Sequence, residues 1–239
     1  MPNIWVFLVI ILSSLIKGIT GFGFALFSFP LLLIWYTPKE IIPVLMICNL
    51  IASILIVVQK KEHKLLDKQS YFLIGAGGIS TMGGVIALSS TSGNLLVHMA
   101  GVIFIGLTLY SLLRRKTGKR ALPVYSFLSA GAFIGFLTGA VSVSGPPLAL
   151  FLNRANVSNR KFREIFAAFN VLTASIALFG YYQAGMLTME VIKMSLMFIP
   201  ILLTGTITGK RLNSIMSVDS FQTANIALTL IASILLVVS

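Results

Sequence analysis

A break inside a long apolar run constrains this chain more than any other feature. Residues 124–152 form one apolar segment, but its centre, residues 138–147, is rich in glycine and serine and ends in Pro146-Pro147. Two adjacent prolines remove two backbone donors, and a proline disfavours helical geometry at the residue before it. Irregular backbone at membrane depth is tolerated only where protein buries it or where it lines a watery cavity. This run therefore predicts a broken helix or a re-entrant hairpin.

The composition predicts an all-α, polytopic membrane protein. The 239 residues are 57% hydrophobic and 10% charged, with a mean hydropathy of +0.98, which is far from the profile of a soluble domain. The net charge of +12 lies in short loops between apolar runs, which is typical of cytoplasmic loops and gives no reason to expect nucleic acid. The single cysteine, Cys48, allows no intramolecular disulfide and no thiolate metal cluster.

The order of the apolar runs predicts one membrane domain, residues 1–239, built from two structural repeats. Repeat one covers residues 1–113, a linker covers 114–123, and repeat two covers 124–239. Each half contains a broken segment, a span with an asparagine, a glycine-rich span and a plain apolar span, in that order. The eight runs are 4–34, 41–58, 71–88, 95–113, 124–152, 165–182, 191–209 and 221–238.

The first half carries a weaker copy of the break. Residues 17–24, Lys-Gly-Ile-Thr-Gly-Phe-Gly-Phe, interrupt the first apolar run, and Pro30 follows. Thr20-Gly21 matches Thr138-Gly139, and Pro30 corresponds roughly to Pro147. Interrupted apolar segments at matching positions in two halves are the best sequence indication of a transport site.

The distribution of basic residues selects a topology. If all eight runs cross the membrane, ten basic loop residues lie on one side and seven on the other. If each broken run instead returns to its starting face, the second half is inverted, and the division becomes 15 to 2, with only Lys39 and Lys193 on the minor face. The second arrangement fits the positive-inside rule and places loops 60–68, 114–120, 154–163 and 210–211 in the cytoplasm. Two short crossings for each broken run give the same parity, so that variant stays open.

Lys17 indicates an anionic substrate. The spans contain almost no carboxylates, and no Asp or Glu near Lys17 in sequence can pair with it, although a charge inside a membrane normally has a partner. Helix N-termini at the breaks add partial positive charge. The alternative is that Lys17 reaches the interface or caps carbonyls.

Further candidates are polar groups at matching places. Asn49 and Asn170 follow the two breaks and can either donate to an anion or bridge helices. Ser142 and Ser144 can donate hydroxyls to a substrate or satisfy local backbone. The predicted substrate-binding set is Lys17, Thr20, Gly21, Gly23, Asn49, Thr138, Gly139, Ser142, Ser144, Gly145, Pro146 and Asn170.

The sequence predicts no enzyme, metal site or cofactor. It lacks His-Glu-x-x-His, Gly-x-Ser-x-Gly, Cys-x-x-Cys and phosphate-loop motifs, which carry the commonest chemistries. His63 and His98 have no company suited to a metal, so both are interpreted as structural.

Three segments resemble the sulfite exporter TauE/SafE family of membrane permeases. They are Gly18-Ile-Thr-Gly-Phe-Gly23 with Pro30, Thr138-Gly139 with Ser144-Gly-Pro-Pro147, and the late pattern from Pro200 to Leu212 that contains Gly205-Thr-Ile-Thr-Gly209-Lys210-Arg211. The resemblance covers nearly the whole chain. It implies a permease for sulfite, sulfonates or related sulfur-containing anions.

We therefore expect a permease of the inner membrane that moves small sulfur-containing anions by alternating access. An anion channel, or a permease for another small carboxylate-type anion, is the alternative. A coupling ion, H⁺ or Na⁺, and a homodimer stay open. The expected partners are the anion and the lipid bilayer.

Overall fold

A computed structural model describes residues 3–20, 23–58, 66–113, 123–155, 157 and 159–213. Throughout these residues the regular structure is α-helical, which confirms the all-α class. The helices are α1 (Ile4–Thr20), α2 (Phe24–Leu32), α3 (Pro38–Val58), α4 (Lys68–Ser90), α5 (Gly93–Leu113), α6 (Val124–Val141), α7 (Gly145–Arg154), α8 (Asn159–Gln183) and α9 (Met189–Asn213).

Five of these helices contain stretches long and apolar enough to cross a bilayer. The stretches lie in α3, α4, α6, α8 and α9 and are 18 to 23 residues long, which at 1.5 Å per residue spans roughly 27–35 Å. Shorter apolar stretches lie in α1 and α5. The last apolar run, residues 221–238, lies outside the described residues. The chain is a multi-pass helical membrane protein by these criteria of length and composition.

Both predicted breaks are present, and the second is narrower than the sequence indicated. Thr138 still lies within α6, and the helical geometry stops only for residues 142–144. Ser142 has φ 58°, the one positive φ among the described non-glycine residues, so its left-handed geometry ends α6. Pro146 and Pro147 lie in the first turn of α7, where a missing N–H breaks no intrahelical bond. These prolines therefore mark the start of α7, and Ser142 ends α6.

After the second break the chain turns back along α6. The rings of Phe127, near the start of α6, and Phe151, near the end of α7, lie edge to face with centroids 5.0 Å apart. Leu148 and Leu152 of α7 are buried in the same cluster as Phe166 of α8. The end of α7 therefore lies beside the start of α6, as in a hairpin.

Two pairs of helices approach at glycines and run parallel. A Cβ on Gly131 of α6 would strike the backbone of Leu73 of α4, and one on Gly139 would strike that of Thr81. Because later residues of α4 meet later residues of α6, the two helices are parallel. Gly205 of α9 meets Ser14 and Gly209 meets Gly18, so α1 and α9 are parallel as well. Small residues at such crossings let helix backbones touch inside a bilayer.

Polar contacts at the helix ends show which ends lie together. Asp67 caps α4 by accepting from the Ser70 N–H at 3.0 Å, and Lys161 near the start of α8 donates to the same carboxylate at 2.6 Å. Partial burial works against the charge, but the Lys161 and Ser70 hydrogen bonds prevail and lower the pKa of Asp67 to about 2. Lys39 of α3 donates to the Ser89 carbonyl at 3.2 Å. The starts of α4 and α8 therefore lie together, and the start of α3 lies at the end of α4.

Gly84→Ala should destabilise the protein, and Gly83→Ala should not. A Cβ on Gly84 would overlap the Phe136 carbonyl and lie 2.7 Å from the Ala140 nitrogen, whereas one on Gly83 would lie 3.7 Å from the Phe136 ring. Forced overpacking costs about 1–3 kcal/mol, while alanine in place of a helical glycine with free space gains about 0.5–1 kcal/mol. Melting temperatures of the two variants in one detergent measure the difference. Equal melting temperatures would contradict the tight crossing of α4 and α6.

Candidate functional site

The asparagines of α3 and α8 occupy equivalent depths in their helices. Asn49 lies 11 residues after Pro38, and Asn170 lies 11 residues after Asn159, where the two helices begin. Both side chains are buried, at 9% and 5% exposure, and α3 packs against α8. Polar groups from both breaks meet these two amides.

Lys17 of α1 is buried beside the first break. Its side chain is 3% exposed, and its Nζ donates to Asn49 Oδ1 at 2.8 Å. The ammonium also lies 5.9 Å from the centroid of the Phe24 ring, within the range of a cation–π contact. No salt bridge to Lys17 occurs among the described residues. The amide of Asn49 thus takes the place that a carboxylate would normally fill.

Asn49 also connects the first break to the second. Its Nδ2 lies 3.5 Å from the Ser142 carbonyl, at the long end of hydrogen-bonding distance, and the Ser142 Oγ lies 3.8 Å from the Met46 sulfur as a donor. Met46 and Asn49 therefore hold the left-handed residue of the second break against α3. One helix supports both interruptions of the chain.

The second break is also fixed to α8. The Ser144 Oγ donates to Asn170 Oδ1 at 2.9 Å, and Asn170 Nδ2 donates to the Phe166 carbonyl of its own helix at 2.9 Å. This chain of bonds holds the Asn170 amide in one orientation. The hydroxyl of Ser144 consequently lies at the N-terminus of α7.

The two short helices begin inside the protein without side-chain caps. Gly23, with φ 76°, precedes α2, and Ser144 precedes α7; neither start has a side-chain cap. Such N-termini carry free N–H groups and about half a positive charge, which suits anions. Pro146 and Pro147 have no N–H, so α7 offers chiefly that of Gly145. The first break is therefore richer in backbone donors, and the second in hydroxyls.

Other predicted site residues have partners that belong to the fold. The Thr138 hydroxyl donates to the Ile134 carbonyl at 2.7 Å within α6. Gly139 packs against Thr81, and its carbonyl accepts from the Tyr181 hydroxyl at 2.7 Å. A substrate contact for these residues stays a prediction, as it does for the buried Pro146. The Thr20 side chain and Gly21 lie outside the described residues.

Sequence reasoning missed three members of this region: Phe24, Met46 and Tyr181. Met46 precedes Asn49 by three residues, so helical periodicity alone places both on one face. Phe24 adjoins Gly23 and was read only as part of the break. Tyr181 gave no signal, because only tertiary packing brings its hydroxyl to Gly139.

A cavity and His98 lie away from the two breaks. A cavity of about 360 Å³ opens where the turn before α3 meets the start of α5, lined by Trp35, Tyr36, Glu40 and His98 among others. The His98 Nδ1 is 2.7 Å from the Asn94 carbonyl. The described residues contain no group of three or more His, Cys, Asp or Glu placed to hold a metal ion.

Membrane-length helices with two interruptions, both accompanied by buried polar side chains such as Lys17, Ser142 and Ser144, define a polytopic membrane protein. The sequence model of the sulfite exporter TauE/SafE family matches residues 6–236, and the chain belongs to that family, which confirms the resemblance seen in the three segments. No curated protein and no solved structure matches the chain significantly. The family is one of membrane transporters for sulfite-type anions and not of enzymes.

Proposed function

We propose that this protein is an inner-membrane permease that moves sulfite, sulfonates or related small sulfur-containing anions by alternating access. The observation that carries the proposal is the Lys17–Asn49–Ser142 connection, in which one buried cation beside the first break is linked to the second break through Asn49. Ser144 and the uncapped start of α7 lie at the same break as Ser142. The anion is expected to bind between the two breaks.

The charge and size of these groups favour a small oxyanion over a cation or an amine. Lys17 supplies positive charge, and the hydroxyl of Ser144 and the N–H of Gly145 supply donors. Sites for divalent metal cations usually include carboxylate ligands, and the buried residues around the breaks are instead an ammonium, amides and hydroxyls. Sulfite and sulfonates present several acceptor oxygens to such donors.

Two inverted repeats explain the helix order. The starts of α2, α3 and α4, at residues 24, 38 and 68, precede those of α7, α8 and α9, at residues 145, 159 and 189, by 121 residues in each case. Asn49 and Asn170 are separated by the same 121 positions. The parallel pair of α4 and α6 has its counterpart in the parallel pair of α9 and α1. These correspondences support the predicted repeats.

The direction of α8 supports a return of the chain at the second break. Gly77 of α4 adjoins Phe169 of α8, and Gly180 of α8 adjoins Val85 of α4, so α8 is parallel to α4 and hence to α6. If α6 and α7 together formed one crossing, α8 would run antiparallel to α6. We infer that α7 brings the chain back to the cytoplasmic face, where Arg154 and Lys161 lie in the proposed basic loops.

Single cysteines in a Cys48→Ala background test this topology. Tyr125, near the start of α6, and Asn153, near the end of α7, are both exposed. Cysteines at these two positions should react with a membrane-impermeant maleimide only from the cytoplasmic side. A cysteine at exposed Gln183, at the end of α8, should react only from the outside. If the cysteines at 125 and 153 label from opposite sides, α6 and α7 form one crossing and the inverted arrangement is wrong.

Transport by purified protein in proteoliposomes tests the function. Radiolabelled sulfite and methanesulfonate should enter, the flux should saturate, and unlabelled anion inside should accelerate it by exchange; a channel would show no such acceleration. The anions should also raise the melting temperature, because a ligand at a hundredfold excess over its Kd stabilises by about 2.7 kcal/mol. Stabilisation by metal cations or amines alone would contradict the assignment. Uptake of small carboxylates in preference to both sulfur anions would instead select the carboxylate-type alternative.

A further inference from the structure

We propose that Lys17 carries the proton of the transport cycle. The side chain is an ammonium while the anion is bound and a neutral amine while the empty site reorients, so one proton moves with each monovalent anion. This inference rests on the proposed function and adds to it the coupling ion and the group that binds it.

The first observation is that no described residue forms a salt bridge with Lys17. Lys17 is 3% exposed, and the hydrogen bond from its Nζ goes to a neutral amide, that of Asn49. A buried ion without a countercharge costs several kcal/mol, and an amide oxygen supplies a dipole but no charge. A bound anion would supply the missing charge, whereas the empty site reaches neutrality by releasing a proton.

The second observation is that the described residues around Lys17 include no other acid or base suited to this task. Cys48 is the titratable group that faces it from α3. The described parts of α1 and α2 contain no further ionisable side chain, and Arg211 of α9, two residues after the Gly209 that meets Gly18, has the same sign as Lys17. These neighbours cannot neutralise the ammonium, so its charge depends on the substrate.

The third observation is that the Lys17 contact survives both protonation states. An ammonium and an amine can each donate to Asn49 Oδ1. The Asn49 Nδ2 in turn lies 3.5 Å from the Ser142 carbonyl of the second break. A change of charge on Lys17 therefore affects the polar contacts at both breaks through the Asn49 amide.

The proton balance is simple. On release of the anion, one N–H bond of the ammonium breaks, its electron pair stays on Nζ as the amine lone pair, and water on the exit side takes the proton. Rebinding reverses the step on the other side. A monovalent anion and a proton together carry no net charge, so the pH gradient drives the cycle and the membrane potential does not.

The first test is the pH dependence of methanesulfonate binding to the purified full-length protein. Methanesulfonate stays a monovalent anion throughout the range used, about pH 6 to about pH 10, so any change reports the protein. Because the anion binds the protonated form, Kd should be level at low pH and rise about tenfold per pH unit once empty-site Lys17 becomes neutral. Lys17→Met should bind weakly with a level profile. Lys39→Met, at an exposed lysine of α3, should keep the wild-type profile.

The second test separates the proton from the charge. Lys17→Arg keeps a cation that does not lose its proton, so the variant should still exchange labelled for unlabelled methanesulfonate but should fail to accumulate it under a pH gradient. Glu164→Gln alters a buried carboxylate of α8 and should accumulate it as the wild type does. Isothermal titration in buffers of different ionisation enthalpy should show about one proton taken up per anion at alkaline pH in the wild type and none in Lys17→Arg.

Each result decides the inference. A level wild-type profile, gradient-driven accumulation by Lys17→Arg, or loss of proton uptake in Glu164→Gln would overturn Lys17 as the proton carrier while leaving the permease intact. Failure of the wild type to bind or move sulfite and methanesulfonate at all would overturn the proposed function and the inference together. The two failures are thus distinguishable in one set of measurements.

Discussion

Asn49→Leu should abolish anion transport and lower the free energy of unfolding by about 3 kcal/mol. The Asn49 Oδ1 accepts the hydrogen bond of the buried Lys17 Nζ at 2.8 Å. Below the pH at which the empty site releases its proton, leucine of similar size leaves the Lys17 ammonium without a partner. A buried charged group that loses its hydrogen bond costs more than the 1–3 kcal/mol typical of neutral groups. The melting temperature and flux of purified protein measure the two effects. Asn94→Leu, at an exposed asparagine of α5, is the matched control.

A double variant tests the stated cause of this instability. If the loss comes from an unpaired ammonium, Lys17→Met combined with Asn49→Leu should recover most of the stability, because no charge then remains to be satisfied, while transport stays absent. Residues in contact deviate from additivity by about 0.5–3 kcal/mol in such cycles. Additive losses would mean that Asn49 stabilises the protein through helix contacts unrelated to Lys17.

The breaks were predictable because their cause is local. Proline and glycine act on the backbone within one or two residues, so Pro146-Pro147 and Gly23 identify interruptions without knowledge of the fold. The place where α6 ends was less predictable. Val141 is the last helical residue, three beyond Thr138, because Ser142 adopts left-handed geometry. A serine at that position does not predict left-handed geometry.

The proposed pairing of the two halves can be read only in part from the sequence. Asn49 and Asn170 were matched from the sequence, and both lie 11 residues into their helices. The match of Thr20-Gly21 with Thr138-Gly139 implies an offset of 118 positions, whereas the helix starts and the asparagines share an offset of 121. Under that offset Thr20 corresponds to Val141, so a similar dipeptide was a poorer guide than helix length.

The contacts across the site were not predictable from the sequence. Lys17 and Asn49 are 32 positions apart, and Tyr181 donates to a carbonyl 42 positions away. Periodicity shows which side chains share a face of one helix, but not which helices meet. The polar character of both breaks could be read directly, while the connection between them depends on tertiary contacts of Asn49 with Lys17 of α1 and with the second break.

Ser144→Ala is expected to weaken anion binding by about 10- to 150-fold. We propose that the Ser144 hydroxyl turns from Asn170 Oδ1, to which it donates at 2.9 Å, towards the bound anion beside the N–H of Gly145. A hydrogen bond to a charged group contributes roughly 1.5–3 kcal/mol, which at about 1.4 kcal/mol per decade gives that range of Kd. Titration of the purified variant with methanesulfonate measures it.

The control and the melting temperature separate this role from a structural one. Ser126→Ala, in the first turn of the same helix that leads to the break, should leave both Kd and melting temperature nearly unchanged. If Ser144 only secures the Asn170 amide, its removal leaves the Oδ1 acceptor of Asn170 without that donor. The melting temperature without ligand then falls while Kd stays at the wild-type value. A lower melting temperature with unchanged Kd would therefore remove Ser144 from the site and leave Lys17 and the helix N-termini as the groups that bind the anion.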